Sequence, residues 1–464
     1  MPSPMPVLLL LVGAATAVWI TTESPMSGLG LLGAVLLPAA IYWFSRRLEF
    51  ATIGLIAAAA IPRFSVDISG LNAKPEHLMA GMVLVLILFQ WKRLPQKPKW
   101  TLPDYLVAAY LLLNILSSWF MSPDPAQTVK WSLQQAVAIL PYFLLRAIIS
   151  DAEKFRRSVR VLLVVGAVVA SLGVICYFSH FFFNTSFGVE VNQYGDIPAA
   201  YGTLYEANLL GSFCGAVFII TLVAYSQKPS RSLLFGLFVT ATAVAVSLSR
   251  AALGATAIAS FVFVFVGRRL GLLRKEMMKK AVLSLSVLGV VLALTLLPYY
   301  VQRFSSFTPE GIANDSEAQS RVIGIVLAME NFVAHPILGN GTSSMQLFYT
   351  YGEAGVGAMD RGFWIANFEM RILHDTGIVG FIVFAAFLWI ILVRSLRALK
   401  QQFNPELLAL FLSALVYCIT FQTTEGTLLA FPWVHLGLIA CALSTGSSSG
   451  YAAVCGTESR SLLS

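Results

Sequence analysis

The sequence predicts an all-α polytopic membrane protein of about 12–14 transmembrane helices, with one large loop outside the membrane. Three observations predict it. The 464-residue chain is 57% hydrophobic and only 12% charged, with a mean hydropathy of +0.77, whereas soluble domains carry roughly 25% charged residues. Apolar runs of spanning length recur along the whole chain. Basic residues cluster in every second connection between those runs.

A spanning helix needs about 20 mainly apolar residues, within a range of roughly 17–25. Fourteen segments are candidates: 5–22, 27–45, 50–66, 77–91, 104–121, 131–149, 158–182, 203–225, 232–248, 251–267, 281–301, 377–394, 406–422 and 427–445. Pro62 and Arg63 interrupt the third, and the fourth is short. The first segment lacks a basic n-region, so it reads as a spanning helix rather than a cleaved signal peptide. The chain 1–464 then forms a single integral membrane domain. Residues 302–376 form the large outer loop, containing short helices, between the eleventh and twelfth segments. The Ser- and Gly-rich stretch 446–464 is a disordered cytoplasmic tail.

The connections orient the chain. Basic clusters follow segments two (Arg46, Arg47), four (Lys92, Arg93, Lys97, Lys99), eight (Lys228, Arg231), ten (Arg268, Arg269, Arg274, Lys275, Lys279, Lys280) and twelve (Arg394, Arg397, Lys400). Another, Arg146 to Arg160, lies at the end of segment six and just after it, and Arg460 lies in the tail. All fall on one side, 23 of the 31 Lys and Arg, and the positive-inside rule makes that side the cytoplasm, with both termini there. Eight remain on the outer face: Arg63, Lys74, Lys130, Arg250, Arg303, Arg321, Arg361 and Arg371. Lys74 and Lys130 read as solvated loop charges. For the arginines two readings stand: solvated loop charge, or an anionic ligand on that face.

Composition excludes several classes. The net charge of +8 is spread over short loops and forms no stripe, which argues against nucleic acid as a partner. The five cysteines are scattered and read as small buried hydrophobes. No P-loop, GxGxxG, HExxH, GxSxG or Cys/His metal spacing occurs. No metal and no cofactor is expected.

Candidate chemistry lies in three stretches. In SLSRAALG, Arg250 sits near the midpoint of the apolar run 233–266, at the tip of a helical hairpin; a guanidinium there can fork onto phosphate bidentately. In GTLYEANLLGSF, Glu206 and Asn208 stand at the start of an apolar helix, where they can position a sugar hydroxyl or cap the helix. In the outer loop, Arg321 opens an amphipathic helix that HPILGNG ends, with Pro336 as breaker and His335 as a structural histidine at the helix end. The stretch ANFEMRILHDTGIVGF then carries Asn367, Arg371 and His374 at helical spacing on one face. Asp375, four residues after Arg371, can orient it, and Glu369 lies on another face. An arginine, a histidine and a carboxylate this close suit holding a phosphate and moving a proton. A neutral imidazole accepts the proton of an attacking hydroxyl, while the arginine stabilises charge on a leaving diphosphate.

At these residues the chain resembles the O-antigen ligase and O-antigen polymerase superfamily of bacterial envelope glycan enzymes. The resemblance covers about residues 50–445 and is strongest over 202–380. It rests on GTLYEANLLGSF, SLSRAALG, and Arg321 with HPILGNG and the spacing of Asn367, Gly377 and Gly380. The resemblance implies a multi-pass protein of the bacterial inner membrane with one large periplasmic loop. It implies a metal-independent transfer of glycan from an undecaprenyl-diphosphate carrier to a glycan or lipid A core acceptor. By motif match, Arg250 and Arg321 take the diphosphate-facing roles, with Arg371 beside them. Ligases of this family commonly carry His-Asn where Ala366-Asn367 stands here. The base is then His374, two helical turns on, or Glu369, and the choice between ligase and polymerase stays open. The alternative class is a transporter or flippase for lipid-linked glycan or a small solute. Against it, the two halves share no evident repeat, and the spans are nearly free of carboxylates.

Overall fold

A computed structural model describes residues 48–64, 66–68, 71–93, 99–192, 197–273, 296–297, 299–301, 316–350, 353 and 362–445. The first two expected spans, most of 281–301 and the 446–464 tail lie outside these residues, as do Arg303 and Arg361.

The described chain is almost wholly helical. In order it runs α1 (Glu49–Ala59), β1 (Val66–Ile68), β2 (Leu71–Ala73), α2 (Pro75–Phe89), α3 (Leu102–Met121), α4 (Pro125–Ile148), α5 (Ala152–Phe183), β3 (Val189–Asn192) and β4 (Ile197–Ala200). It continues through α6 (Ala207–Gln227), α7 (Arg231–Val246), α8 (Arg250–Arg269), α9 (Ser316–Ala334), α10 (Met345–Phe348), α11 (Phe368–Gln401), α12 (Pro405–Thr420) and α13 (Ala430–Thr445). Each of the eleven expected segments that fall on described residues is a helix. Five helices, α3, α5, α6, α8 and α11, are long and apolar enough to cross a membrane, and five shorter apolar helices accompany them. The third expected span is cut short: α1 stops at Ala59, before Pro62 can donate no amide to it. Two small antiparallel hairpins, β1–β2 and β3–β4, depart from the all-α expectation.

Helix starts are set locally. Asp124, Asp151, Ser230, Ser249 and Asn404 each accept the backbone N–H three residues on, at 2.9–3.3 Å. Pro75, Pro125 and Pro405 open their helices, where the missing N–H costs nothing.

α6 is the central helix. It is apolar all round and buried along nearly its whole length, as such a helix must be. It packs against α5, α7, α8 and α12. Small residues let the neighbours approach: a Cβ on Gly211 would come within 2.6–2.8 Å of Ser247 and Ala252. The helices alternate in direction, so the bundle has two unlike ends. At one end Arg146 of α4 pairs with Asp104 of α3, and Arg156 of α5 reaches Glu406 of α12 at 3.8 Å. That end carries most of the described basic residues. The other end carries Arg63, Lys74, Arg250 and Arg371, and every candidate site residue.

Candidate functional site

The site is built on a break in α11. Gly377 has φ 65° and ψ −169°, a conformation that suits only glycine. The break opens two helical hydrogen bonds, from Ile378 to His374 and from Val379 to Asp375. The turn 335–341 inserts there and replaces both. Asn340 and Gly341 donate their N–H groups to the His374 and Asp375 carbonyls at 2.8 and 3.0 Å. Ile378 and Val379 donate theirs to the Pro336 and Ile337 carbonyls at 2.9 and 3.4 Å. Gly339, with φ 75°, stands so close that a Cβ would lie 2.5–2.6 Å from the Gly377 nitrogen and the His374 carbonyl oxygen. HPILGNG is therefore more than a helix stop. It is the other half of the kink.

The next residues of the turn tie the kink to the bundle. Ser117 of α3 donates to the Asp375 carbonyl at 2.6 Å, and the Thr342 N–H donates to Ser118 at 2.9 Å. The Thr342 hydroxyl donates to the Asn114 amide oxygen at 3.0 Å and receives the Ser132 hydroxyl at 2.7 Å.

This frame holds a buried ionic cluster. Arg371 lies in the first turn of α11 and is 4% exposed. Its Nε is 3.3 Å from Asp375 Oδ2, and its Nη1 is 2.5 Å from Glu425 Oε2. The second contact is ionic, its angle lying outside hydrogen-bond geometry. Nη2 donates to the Ser343 hydroxyl at 3.1 Å, and the Trp364 ring lies 5.2 Å from the guanidinium carbon. Asp375 also accepts the Ser343 N–H at 2.8 Å, and its Oδ1 lies 2.9 Å from His374 Nδ1. His374 is wholly buried, and its Nε2 has no hydrogen-bond partner among the described residues. The carboxylate fixes one ring nitrogen and leaves the other unengaged among the described residues, an arrangement that can orient a histidine for proton transfer. A shallow cleft, about 170 Å³ counting its open mouth, lies beside Arg371 and Asp375, lined by Ser343, Gln346, Phe363 and Trp364.

The sequence places Arg371, His374 and Asp375 together, and the structure does the same. Asn367 parts from them: it caps α11 by accepting the Met370 N–H at 2.9 Å, and its amide donates to Gln422. Glu369 is exposed and accepts from Gln422 at 3.0 Å. Both residues thus grip the α12–α13 loop, three positions before Glu425. Glu206 sits at the N-cap of α6 without capping it, since its carboxylate accepts the Thr424 hydroxyl instead. Asn208 is half-buried in the first turn of α6. Arg250 opens α8 just after the tight turn 247–249, as the hairpin expectation requires, and is half-buried beside the start of α6. Arg321 is the sixth residue of α9, not its first. It shares a helix face with Gly324 and Ala328, which pack towards Phe363. Arg250 thus lies beside the start of α6, and Arg321 on the helix that packs against Phe363.

Sequence reasoning missed Glu425, Lys74 and Glu76. Lys74 is not a solvated loop charge: its ammonium lies 4.9 Å over the Tyr205 ring. Burial pushes it below the usual lysine range, against the pull of Glu76 and Glu425. Glu76, one residue ahead of the apolar segment 77–91, is 1% exposed, and neither carboxyl oxygen has a hydrogen-bond partner among the described residues. Burial raises it to about 7, with Lys74 opposing. Nearby, Arg63 covers the Tyr201 ring at 3.9 Å and donates to the Tyr205 carbonyl at 3.4 Å. The only signal in the sequence was position: all three missed residues stand at the outer ends of apolar segments.

Among the described residues, no group of three or more His, Cys, Asp or Glu could hold a metal ion. The start of α11 and the connections 201–206, 335–344 and 421–429 together bring a buried arginine, an oriented histidine, several carboxylates and two tyrosine faces to one end of the bundle. Such a set can neutralise an anion, accept hydroxyl hydrogen bonds and take up a proton. No family model matches the chain, and no curated protein matches it.

Proposed function

We propose that the chain is a glycosyltransferase of the bacterial inner membrane. In this reading the site end of the bundle faces the periplasm. A glycan moves from an undecaprenyl-diphosphate carrier to the hydroxyl of a glycan or lipid A core acceptor. The observation that carries the reading is the meeting of Arg371, His374, Asp375 and Glu425 at the bundle end opposite the basic loops. The start of α6 reaches the same place through the bond between Glu206 and Thr424. An apolar cleft of about 560 Å³, counting its open mouth, runs beside the cluster between α11, α12 and α13. Phe368, Phe384, Leu388 and Trp433 line it, a surface suited to a hydrocarbon tail.

The acceptor oxygen attacks the anomeric carbon and the bond to the diphosphate breaks, with inversion. The electron pair leaves on the diphosphate, where Arg250 and Arg321 stabilise the charge. Arg371 is engaged by two carboxylates, so it faces the diphosphate only where the ligand displaces one of them. The acceptor proton passes to a base of the site, for which His374, oriented through Nδ1 by Asp375, and the buried carboxyl of Glu76 are the two candidates.

The test is a strain lacking the protein, from which lipid-linked glycans are extracted and sized. Long chains stranded on the carrier mean a ligase, and single repeat units mean a polymerase. If neither accumulates and glycan is trapped on the cytoplasmic face, the enzyme reading fails. A transporter is the second reading. The buried carboxyl of Glu76 favours it, because ion-coupled carriers hold such groups inside the bundle.

A further inference from the structure

A buried carboxyl whose two oxygens both lack a partner is costly, and native structures keep such a group only for a reason. Glu76 is one. Lys74 brings it into the site: the ammonium is within electrostatic reach of both Glu76 and Glu425, and Glu425 contacts Arg371. The charges thus alternate, Glu76, Lys74, Glu425, Arg371, Asp375, across the bundle end. Both this row and Arg250 lie by the start of α6. Lys74 packs on Tyr205, just ahead of α6, and Ser247 and Ser249, next to Arg250, abut Gly211 of the same helix. A donor lying across Glu206 and Asn208 would lie near both Arg250, a cation for the diphosphate, and the Lys74–Glu76 pair. In-line displacement needs a leaving-group stabiliser and a base on opposite sides of the reacting carbon, roles that Arg250 and Glu76 would divide.

The geometry points to Glu76 as the catalytic base that takes the acceptor hydroxyl's proton, with Lys74 and Glu425 holding its neighbourhood. This rests on the glycosyltransferase reading and deepens it. The bond from acceptor oxygen to anomeric carbon forms as the bond from that carbon to the diphosphate oxygen breaks. The diphosphate keeps the electron pair, and the hydroxyl proton passes to the Glu76 carboxylate and then to solvent. His374 is then an organiser of the kink through Asp375. The raised value of about 7 supports the role, because a base works best near the operating pH. The groups around Glu76 are Lys74 ahead of the same helix, His77 beside it, Glu425 from the α12–α13 loop, and Lys130 in the second turn of α4, which packs against α2. Among the described side chains α1, the other helix against α2, offers no charged group.

The experiment uses full-length protein in detergent, acting on lipid-linked glycan extracted from the deletion strain, with that strain's membranes as acceptor. Release of undecaprenyl diphosphate is followed from about pH 5 to about pH 9 for wild type, Glu76→Gln and Glu76→Asp. Expected are a wild-type rate that falls below about pH 7 and a loss of at least ~100-fold in kcat for Glu76→Gln, without the acid limb. Glu76→Asp should keep the limb and recover part of the rate. Infrared titration should find a carboxylic acid in the wild type that ionises near the same pH and is missing from Glu76→Gln. A Glu76→Gln enzyme with wild-type rate and pH profile overturns the assignment, as does the absence of that carboxyl band. A wild type that releases no carrier diphosphate overturns the parent reading instead, and does so before any variant is compared.

Discussion

The Arg371 guanidinium and the Glu425 carboxylate meet at 2.5 Å, with their side chains only 4% and 1% exposed. Asp375 holds the same arginine from the other side at 3.3 Å. A buried charge stripped of a partner is worse than no charge there at all. Glu425→Ala is therefore expected to cost about 3 kcal/mol, at the lower end of the range because Asp375 remains. Arg371→Met with Glu425→Leu should cost less than the two single changes summed. Thermal unfolding in detergent of the three variants checks this.

The kink makes a sharper prediction. Gly377→Ala forces a side chain onto φ 65° and drives its Cβ into the Ile337 carbonyl. The 335–341 turn cannot then dock, and four backbone hydrogen bonds are lost with it. The expected outcome is loss of folded protein or a penalty of at least ~3 kcal/mol. Gly380→Ala is no neutral control, because its Cβ would collide with Thr376. Gly254→Ala is: nothing lies within 4 Å of a Cβ placed there. Comparing the yield of monodisperse protein for Gly377→Ala and Gly254→Ala decides the point.

At the opposite end, Asp104 accepts the Tyr142 hydroxyl at 2.9 Å and the Thr101 hydroxyl at 2.7 Å, and pairs with Arg146. It joins α3 to α4 far from the proposed chemistry. Asp104→Ala should lower stability by about 3–5 kcal/mol while leaving turnover per folded molecule unchanged. Turnover normalised to folded protein tests that separation.

Glu76 makes stability depend on pH with an unusual sign. Its folded value of about 7 lies above the ordinary 4.5, so between these two the folded state binds more protons than the unfolded one. Stability from this group is then full below about 4.5 and falls as pH rises through about 7. The total is of order 3 kcal/mol at ~1.4 kcal/mol per unit. The slope of Tm against pH over this window should be shallower in Glu76→Gln. Equal slopes would mean that Glu76 does not titrate there.

Much of this was legible because lipid-facing and core helices both need long apolar runs. The segments 104–121 and 251–267 became α3 and α8 with little change at their ends, and 158–182 became α5, which starts earlier at Ala152. The pairing of Arg371 with Asp375 was legible too, being an i, i+4 relation within one helix. Contacts between distant segments were not. Ser117 meets the Asp375 carbonyl across 258 positions, and Lys74 finds Tyr205 through the tertiary fold alone. That the helical stretch from Phe368 continues into the segment 377–394 was hidden, because only the docked turn 335–341 lets the helix resume beyond Gly377. The hairpins β1–β2 and β3–β4 were hidden because three or four residues are too few to show alternation.

The most direct measurement is carrier release by the purified chain. Full-length protein in detergent is mixed with lipid-linked glycan from the deletion strain and an acceptor membrane fraction, with a chelator present. The account predicts that free undecaprenyl diphosphate appears with time. It also predicts that Arg250→Ala and Arg321→Ala each slow this by ~100-fold or more. Lipid-linked glycan that survives intact with active, folded protein would contradict the account.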